Sequence, residues 1–570
     1  MRPNLPGRAR SAGVAALPVT ILGQTAWMHP ISRRAFLAAS AAVVAAACSD
    51  SGAANSTTTT ASSTTTSTST TEAATTTEAT TTTSTLPPVE LSADPFTLGV
   101  ASGEPDPVSV VLWTRLAPDP LNGGGMPDDD VEVTWEVSDS DDFATIAASG
   151  DETATLERGH MVHVIVPLDQ GSWFYRFRVG QYTSPVGTTR AAPDASVNLA
   201  ETNFAVANCQ NYSNGQYAAH RDLAEHKPDF VVFLGDYIYE DPGIPGNGDP
   251  TARVDIGSEP TTLEEYRNRY ARYKTDPHLQ AAHAVCPWFV IWDDHEVENN
   301  YAGLTPQAAA DAPTFPARRF AAYQAWWEHQ PVRLEPPIAP DKEYRTYRDV
   351  HWGDLIDLAL LDGRQYRTDQ ACGDVTLSLD PPCGEVLDPA RTMLGDEQET
   401  WLFDTLAAST ANWNVIGNQV VFADATLNGA VLNYDQWDGY PLERERLLQH
   451  LADTNVPNVV VLTGDIHLAA VAQLRAGDRA TGTPVGAEFI TTSISSMGLI
   501  SDQFTDVLKS YPHLVDAELT HRGYSLHSVT TERWIAEYRI VADVADADSE
   551  VTTLGTYVVE AGTNIVTKAS

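Results

Sequence analysis

The apolar residues of this chain follow two different patterns, one before and one after about residue 195. Residues 91–195 contain short runs rich in Val, Trp, Tyr and Phe, interrupted by Gly, Pro and Asp, such as VSVVLWTRL, VEVTWEVS, MVHVIVPL and WFYRFRVG. Runs of this kind are typical of short antiparallel strands. Their spacing predicts a small all-β sandwich of the immunoglobulin type at 91–195.

From about residue 200 onward, apolar runs of strand length alternate with segments of helical pattern. The runs include VVFLG, WFVIW, LIDLALL, NVIG and VVVLTG, and the helical segments include YAAHRDLAEH and ARRFAAYQAWWEHQ. Strands that alternate with helices predict an α/β fold, and nearly continuous apolar strands are expected where both faces of a sheet are covered. We therefore expect a second domain at 200–545, followed by a C-terminal tail at 546–570.

The first forty-eight residues have the pattern of an export signal. The pair Arg33–Arg34 precedes Phe36–Leu37 and a run of small apolar residues that ends at Cys48. This order predicts a twin-arginine signal at 1–48, and the AAAC sequence predicts a lipid on Cys48. A chance arginine pair before an ordinary signal, and cleavage without lipidation, stay open as alternatives.

Residues 49–90 consist almost entirely of Ser, Thr and Ala. Such a segment cannot bury enough apolar surface to offset its ordering entropy, so we expect a disordered stalk. Signal, lipid site and stalk together predict a protein that is secreted or anchored to the outer face of the cytoplasmic membrane. The twin-arginine export machinery is then an expected partner, and the membrane is contacted only through Cys48.

Charge and cysteine content narrow the picture further. A formal net charge of −41 over 570 residues argues against a nucleic-acid-binding surface, which needs clustered Lys and Arg. We also expect the protein to be a monomer. Cys372 and Cys383 bracket a short loop and are expected to form a local disulfide, which an oxidising exterior permits. Cys286 precedes an apolar strand and is interpreted as a small buried side chain.

Polar side chains with metal-ligating chemistry follow most of the predicted strands of the second domain. They are Cys209, Asp236, the run Asp293–Glu296, the pair Asn418–Gln419, Asp465 and His467. In open α/β sheets, ligands bind beyond the carboxyl ends of the strands. Several carboxylates that converge there repel one another unless cations neutralise them. The pattern therefore predicts a metal centre.

The ligand types indicate which metals fit. Carboxylates suit hard cations, imidazole suits transition ions, and a thiolate needs a metal that accepts sulfur. Tyr239 lies three residues after Asp236 and can offer a phenolate to the same ion. A thiolate, a phenolate and carboxylates together favour ferric iron at one position. A second position made mostly of oxygens suits Ca²⁺ or another hard divalent cation.

The whole body of the chain resembles the PhoD-like alkaline phosphatases within the calcineurin-like metallophosphoesterase superfamily. The resemblance rests on these segments, in order: FTLGVASGEPDPVSVVLWTRL, NCQNY, LGDYIYE, WDDHEVENNY, RFAAYQAWWEHQPVR, LDGRQYR, WDGYPLERERLL, LTGDIHLA, TTSISS and RGYS. It implies a β-sandwich followed by a four-layer αββα metallophosphoesterase domain. It also implies an extracytoplasmic enzyme with iron and calcium that hydrolyses phosphomonoesters and phosphodiesters.

Matching the motifs residue by residue implies roles for individual side chains. Cys209, Asp236 and Tyr239 resemble iron ligands, and Asp236 resembles the bridge between two metals. Asp294 stands where the superfamily has Asn, and His295 matches the His that assists the leaving group. The remaining matches are two further metal ligands, Asp465 and His467, and three secondary candidates for metal or substrate contact, Asn299, Gln419 and Arg364. Arg364 is also interpreted as a structural salt bridge.

Two other functions stay open from the sequence. One is a surface-anchored binding lipoprotein whose phosphatase domain is inert. The other is a dedicated phosphodiesterase of wall polymers. The chain shows no serine nucleophile motif, so the expected chemistry is attack on phosphorus by water that a metal activates, without a phosphoenzyme.

Overall fold

The computed structural model describes residues 90–91, 93–241, 253, 257–375, 378–498 and 504–569. The predicted signal at 1–48, its lipid site Cys48, and the stalk at 49–90 except for its last residue lie outside the described residues. The described residues all belong to one compact unit that spans Ala79–Ser570. None of the helices found among the described residues is long and apolar enough to cross a membrane.

The largest sheet has ten strands, which are numbered in chain order together with the strands of the other sheets. In their order across the sheet they are β22 (Val566–Lys568), β21 (Val551–Glu560), β20 (Arg533–Val541), β19 (Arg522–Thr530), β9 (Glu201–Ala207), β10 (Phe230–Phe233), β11 (Trp288–Val290), β1 (Val100–Asp106), β2 (Ser109–Arg115) and β5 (Met161–Pro167). Strands β9, β10 and β11 are parallel neighbours in the middle of this sheet.

A second sheet has seven strands, and a third has five. The seven are β12 (Arg348–Trp352), β13 (Ile356–Leu360), β14 (Trp413–Gly417), β15 (Val459–Thr463), β17 (Thr483–Ile490), β16 (Ala469–Ala476) and β18 (Leu514–Glu518). The five are β4 (Ala148–Ala154), β3 (Val131–Ser138), β6 (Ser172–Val179), β7 (Tyr182–Thr183) and, paired with β6, β8 (Gly187–Arg190). Strands β13, β14, β15 and β17 are parallel.

The helices lie between these strands in the chain. They are α1 (Ala218–His226), α2 (Leu263–Lys274), α3 (Pro277–Val285), α4 (Phe315–His329), α5 (Gly395–Ala408), α6 (Pro441–Thr454) and α7 (Thr505–Lys509). Short 3₁₀ turns occur at Ala309–Asp311, Ala371–Gly373, Gly384–Leu387 and Trp437–Gly439. Helix α2 begins at a capping box in which Thr262 and Glu265 satisfy each other's free backbone N–H groups.

Three apolar clusters hold the helices and the two larger sheets together. One joins helices α1 to α4 to the ten-stranded sheet, with Leu223 and Trp326 beside Val231. A second lies between the two larger sheets, and a third joins the seven-stranded sheet to α5 and α6. The α/β class predicted from the sequence is confirmed. The four-layer αββα arrangement and the immunoglobulin type of the N-terminal sandwich stay predictions.

The predicted N-terminal domain at 91–195 shares a sheet with the rest of the chain. Strands β1, β2 and β5 belong to the ten-stranded sheet, and β1 pairs with β11 at Gly103 and Trp288. A Cβ on Gly103 would lie 2.6 Å from the Trp288 carbonyl oxygen, so this close approach requires glycine. The boundary that we predicted between 91–195 and 200–545 therefore does not separate two sheets.

The predicted C-terminal tail at 546–570 is wrong over most of its length. Strands β21 and β22 occupy this region and form one edge of the ten-stranded sheet. Alternate residues of β21, Tyr557 and Val559, are buried in the cluster between the two larger sheets. This alternation of apolar and polar positions is the signal of a half-buried strand. The predicted disulfide between Cys372 and Cys383 is present.

Candidate metal centre

The strand ends noted in the sequence meet at one place in the structure. Cys209 follows β9, Asp236 follows β10 and Asp294 follows β11. Because these strands are parallel neighbours, their carboxyl ends lie at the same edge of the ten-stranded sheet. Asp465 and His467 follow β15 of the other large sheet. The site is therefore assembled from loops of both sheets.

Among the described residues, three overlapping groups of side chains offer metal-ligand atoms within 4.8 Å of one another. The groups are Cys209 with Asp236 and His467, Asp236 with Asp294 and His295, and Asp236 with Asp293, Asp294 and Asp465. Asp236 is the one member common to all three groups. Its carboxylate has two oxygens and can thus contact two cations at once. Asp293, which the sequence indicated only as part of the run Asp293–Glu296, belongs to the third group.

Backbone strain occurs in these loops. Four of the candidate ligands have left-handed φ values, namely Cys209 (54°), Asp236 (57°), Asp465 (68°) and His467 (55°). Residues other than glycine adopt this region at a cost of about 1–3 kcal/mol each, and such residues cluster at functional sites. Gly235, with φ 106°, precedes Asp236, and a Cβ there would lie 2.5 Å from the Cβ of Asp293. Only glycine lets the two loops approach so closely.

The two tyrosines after Asp236 have different surroundings. The Tyr239 hydroxyl donates to Asp236 Oδ2 at 2.7 Å and lies 3.0 Å from Nε2 of His467. Ser496 Oγ donates to the same hydroxyl at 2.8 Å. Tyr237 instead contacts His283, with its hydroxyl 2.8 Å from that ring. Tyr239 therefore belongs to the cluster, and Tyr237 packs in the apolar core.

The environment of His467 fits a neutral ligand. Burial, assisted by the Arg522 guanidinium, lowers the pKa of His467 to about 3. Its Nδ1 donates to the Met497 carbonyl oxygen at 2.6 Å. This hydrogen bond fixes the tautomer and leaves Nε2 with a lone pair on the side of Tyr239.

Two carboxylates of the cluster, Asp236 and Asp465, lack enough neighbouring positive charge to offset their burial. Burial raises the pKa of Asp236 well above its usual value, and the neighbouring carboxylates of Asp294 and Asp293 raise it further against the opposing effect of His295. Burial, followed by Asp293 and Asp294, likewise raises the pKa of Asp465. Anions crowded in a buried site favour a bound cation or a bound proton. The donor set therefore fits metal ions.

Unpaired oxygens support the same conclusion. Asp236 Oδ1, Asp293 Oδ2 and Asp294 Oδ1 are buried and have no hydrogen-bond partner among the described residues. Buried polar atoms without partners are rare in folded proteins because each costs about 1–3 kcal/mol. Three such oxygens in one cluster are explained if they are metal ligands. The thiol of Cys209 and the phenol of Tyr239 add the donors that ferric iron accepts.

His295 lies at the edge of this cluster. Its Nδ1 donates to Glu240 Oε2 at 2.6 Å, and Oε1 of Glu240 accepts from the Asn299 backbone N–H at 2.6 Å. Burial favours the neutral ring, but the carboxylates of Glu240, Asp294 and Asp236 outweigh burial and raise the pKa of His295 well above its usual value. The ring therefore carries a proton close to the shared carboxylate.

Glu296 holds two of the ligand loops together, a role that the sequence did not reveal. Its carboxylate accepts from the backbone N–H of Asp293 at 2.8 Å, of Asp236 at 3.1 Å and of Tyr237 at 2.5 Å. Burial raises the pKa of Glu296 to about 8, against the opposing effect of these three backbone N–H donors. The spacing Asp293–Glu296 was visible in the sequence, but these contacts depend on the neighbouring strand.

Arg364 lies beneath the carboxylates and is fully buried. Its Nε donates to Asp293, and its two terminal nitrogens donate to the two oxygens of Asp435 at 2.8 Å each. These bonds occupy the guanidinium and support the interpretation of Arg364 as a structural salt bridge over that of a metal or substrate contact. Asp435 was missed because only the fold brings it to Arg364.

Gln419 and Asn299, the other secondary candidates, are placed differently. The Gln419 amide donates to the carbonyl oxygens of Trp292 and Leu361 at 3.0 and 2.7 Å, and its oxygen accepts from Gly363 at 3.2 Å. Gln419 is fully buried and supports the main chain just before the ligand loop, so the structure does not place it as a substrate contact. Asn299 is half-buried and contacts the His295–Glu240 pair through its backbone.

Comparison with known proteins bears on the chemistry of this site. The family described as PhoD-like phosphatase matches residues 204–538, and the PhoD-like phosphatase N-terminal domain matches residues 78–193. Alkaline phosphatase D of Bacillus subtilis (strain 168) is 44% identical over 478 residues, which cover 82% of this chain and 81% of that protein. A solved structure described as the structure of PhoD has a TM-score of 0.80 and 43% identity, covering 85% of this chain and 93% of its own.

These matches confirm the resemblance stated from the sequence and the predicted enzyme class. The chain is a phosphoric ester hydrolase. The matches give no support to a binding lipoprotein with an inert domain, because they extend over the candidate metal centre itself. The chain belongs to the PhoD-like phosphatase family.

Proposed function

We propose that this protein is an extracytoplasmic, metal-dependent phosphohydrolase that cleaves phosphomonoesters and phosphodiesters by attack of water on phosphorus. The observation that carries the proposal is the position of Asp236, whose carboxylate is common to all three groups of potential ligands. A carboxylate in this position would suit two cations that act together in the hydrolysis of phosphate esters.

The donor types suggest how the metals divide. We infer that Fe³⁺ would be held by Cys209, Asp236 and Tyr239 with His467 beside them, since these residues offer sulfur, phenol and imidazole donors. The remaining carboxylates, Asp294 and Asp465, with Asp293 behind them, suit Ca²⁺. Cations held there supply Lewis acidity that activates water and offsets the charge of the phosphoryl oxygens.

The protein's own groups act on the leaving oxygen. Nδ1 of His295 is bound to Glu240, so its Nε2 is the nitrogen that remains to give a proton to the departing alkoxide. The charged Glu240 carboxylate orients the ring and keeps it protonated. The phenyl ring of Tyr239 packs against His295, with ring centroids 4.1 Å apart, and limits its rotation.

The same proposal extends to the fold around the site and to the location of the protein. We infer a four-layer αββα catalytic body behind an immunoglobulin-like sandwich, supported by the three apolar clusters that alternate with the two larger sheets. The disulfide between Cys372 and Cys383 supports an oxidising location. We further propose that the protein is exported by the twin-arginine route and is then either anchored by a lipid on Cys48 or secreted. We also propose that the enzyme is a monomer.

A paired substitution of the two free cysteines tests the metal site. Cys209 and Cys286 are both buried, but only Cys209 belongs to a ligand group. In protein purified after export, Cys209→Ala is expected to lose iron, the visible absorption band of its sulfur or phenol ligands, and hydrolysis of an aryl phosphate ester. Cys286→Ala, the matched control, is expected to keep all three. Equal iron content and activity in the two variants would contradict the proposed ligand set.

Substrate class and leaving-group assistance need separate measurements. Rates on mono-aryl and bis-aryl phosphates, before and after removal of Ca²⁺, distinguish a dual-specificity enzyme from a dedicated phosphodiesterase. His295→Ala is expected to lower kcat while iron stays bound. Loss of iron in that variant would instead make His295 a metal ligand. A protein that contains no metal and hydrolyses neither ester would overturn the proposed function.

A further inference from the structure

An apolar cavity lies beside the metal centre, between the loop that follows β14 and helix α7. It has a volume of about 90 Å³. Its walls are Val421, Leu468, Ala470, Ile490, Leu508 and Tyr511, which are all buried. Cavities with such walls exclude water and bind apolar groups.

The charged residues that line this cavity have partners of their own. Asp424 forms an ion pair with Arg479 at 3.0 Å, and Asp438 forms one with Arg444. Burial lowers the pKa of His513, another lining residue, to about 4, so that its ring is neutral at pH 7. The cavity therefore presents no uncompensated charge to an occupant.

Two residues connect the cavity directly to the candidate metal ligands. Gln436 lines the cavity, and its Nε2 donates to Asp465 Oδ2 at 2.5 Å. Ile466 also lines the cavity and stands in the chain between Asp465 and His467. Ile466 is half-buried, as is the neighbouring Asp465.

We propose that this cavity is a subsite for a short alkyl group of the phosphate ester that is hydrolysed at the metal centre. The inference rests on the proposed function and adds a substrate preference to it. An apolar cavity of about 150 Å³ holds benzene, so one of 90 Å³ has room for three or four carbons and excludes an aromatic ring. The favoured substrates are therefore phosphodiesters that carry one ester group of three or four carbons.

A series of 4-nitrophenyl alkyl phosphates tests this preference, because the leaving group and the chemical step stay constant while the alkyl group lengthens. Burial of each methylene is worth roughly a fourfold increase in kcat/KM. From methyl to butyl the expected increase is up to about sixtyfold, and a hexyl group is expected to gain nothing further. 4-Nitrophenyl phosphate, which has no alkyl group, serves as the reference substrate.

Two variants locate the preference in the cavity. Ala425 is a half-buried lining residue away from the metal ligands, and Ala425→Leu is expected to fill the space and flatten the alkyl series. Leu508→Ala enlarges the same cavity and is expected to move the optimum to longer chains. Both variants are expected to hydrolyse 4-nitrophenyl phosphate at the rate of the unaltered protein, which shows that the fold and the metal centre are intact.

The outcomes separate this inference from the proposed function. Hydrolysis of 4-nitrophenyl phosphate with no dependence on alkyl length overturns the subsite and leaves the proposed function in place. A length dependence that neither Ala425→Leu nor Leu508→Ala alters places the preference elsewhere and also overturns the subsite. No hydrolysis of any ester by the metal-containing protein overturns the proposed function itself.

Discussion

Lys274 is a buried cation whose replacement should stabilise the protein. It is the last residue of α2 and is 2% exposed. Its Nζ lies 4.2 Å from the centre of the Trp113 ring on β2 and 5.1 Å from that of Tyr237. An ion pair between Lys274 and a carboxylate is not found within the described part of the chain. Burial alone lowers the pKa of Lys274 to about 7 from 10.5.

The size and sign of the effect follow from this shift. A change from 10.5 to about 7 corresponds to at most about 4.8 kcal/mol, because one pKa unit is worth about 1.36 kcal/mol. The two aromatic rings offset about 1–2 kcal/mol of this cost. Between pH 7 and pH 10.5 the unfolded chain binds more protons than the folded chain, so stability rises with pH, and below pH 7 the whole cost is present.

We therefore expect Lys274→Met to raise the free energy of unfolding by about 3 kcal/mol at pH 6, and the gain should disappear as the pH approaches 10.5. At about 2.1 cal/mol/K per residue over roughly 490 residues, 3 kcal/mol corresponds to about 3 °C in melting temperature. The measurement is thermal unfolding at a fixed scan rate at pH 6, 7.5, 9 and 10.

Lys342→Met is the matched control, because the Lys342 side chain is 63% exposed. It is expected to change stability by less than about 0.5 kcal/mol at every pH. A Lys274→Met protein that is less stable than the unaltered protein at pH 6, or that differs from it equally at pH 6 and pH 10, would refute the reasoning. The first result would mean that the contacts with the two rings outweigh the cost of burial, and the second would mean that the effect does not come from the charge of Lys274.

Three further predictions concern the site and its supports. The double variant Cys372→Ser, Cys383→Ser removes a disulfide between cysteines that are 11 residues apart. It should lower the free energy of unfolding, measured by chemical denaturation, by about 3 kcal/mol. Arg364→Gln should lower the free energy of unfolding by about 3–5 kcal/mol, because it leaves buried carboxylates unpaired. A fall in activity without a fall in melting temperature would contradict the role of Arg364 as a structural salt bridge. Tyr239→Phe should abolish the visible absorption band contributed by a phenol ligand, whereas Tyr237→Phe should preserve it, as spectra of the iron-loaded proteins will show.

The sequence revealed the side chains that end strands but not those that support them. Cys209 and Asp236 each follow an apolar run directly, so their position at a sheet edge could be predicted from local pattern. Glu296 and Asp435 act through contacts with residues that are distant in the chain, and such contacts depend on the order of strands in the sheet. The same limit applies to Arg364, whose two interpretations only the fold could distinguish.

The fold, like the site, could be predicted from the sequence only in part. The alternation of strands and helices after residue 200 predicted the α/β class correctly, because the two periods are local properties of the sequence. Pairing between strands far apart in the chain was not predicted. Strand β1 joins β11, and the C-terminal strands β21 and β22 complete the edge of the same sheet. A domain boundary drawn from a change in pattern at about residue 195 therefore divided one continuous sheet.

The arginines divide the acidic residues of the site into two kinds. Burial opposes ionisation of Asp435, but Arg364 and then Arg367 outweigh it and lower the pKa of Asp435 well below its usual value. No arginine reverses the effect of burial for Asp236 or Asp465, and the pKa of each is raised. The protein thus neutralises Asp435, beneath the centre, with two arginines and leaves Asp236 and Asp465, at the loop ends, without enough positive charge to offset their burial. A bound cation is the simplest compensation for charge left in that position, and this contrast supports the proposal that Asp236 and Asp465, rather than Asp435, contact the metals.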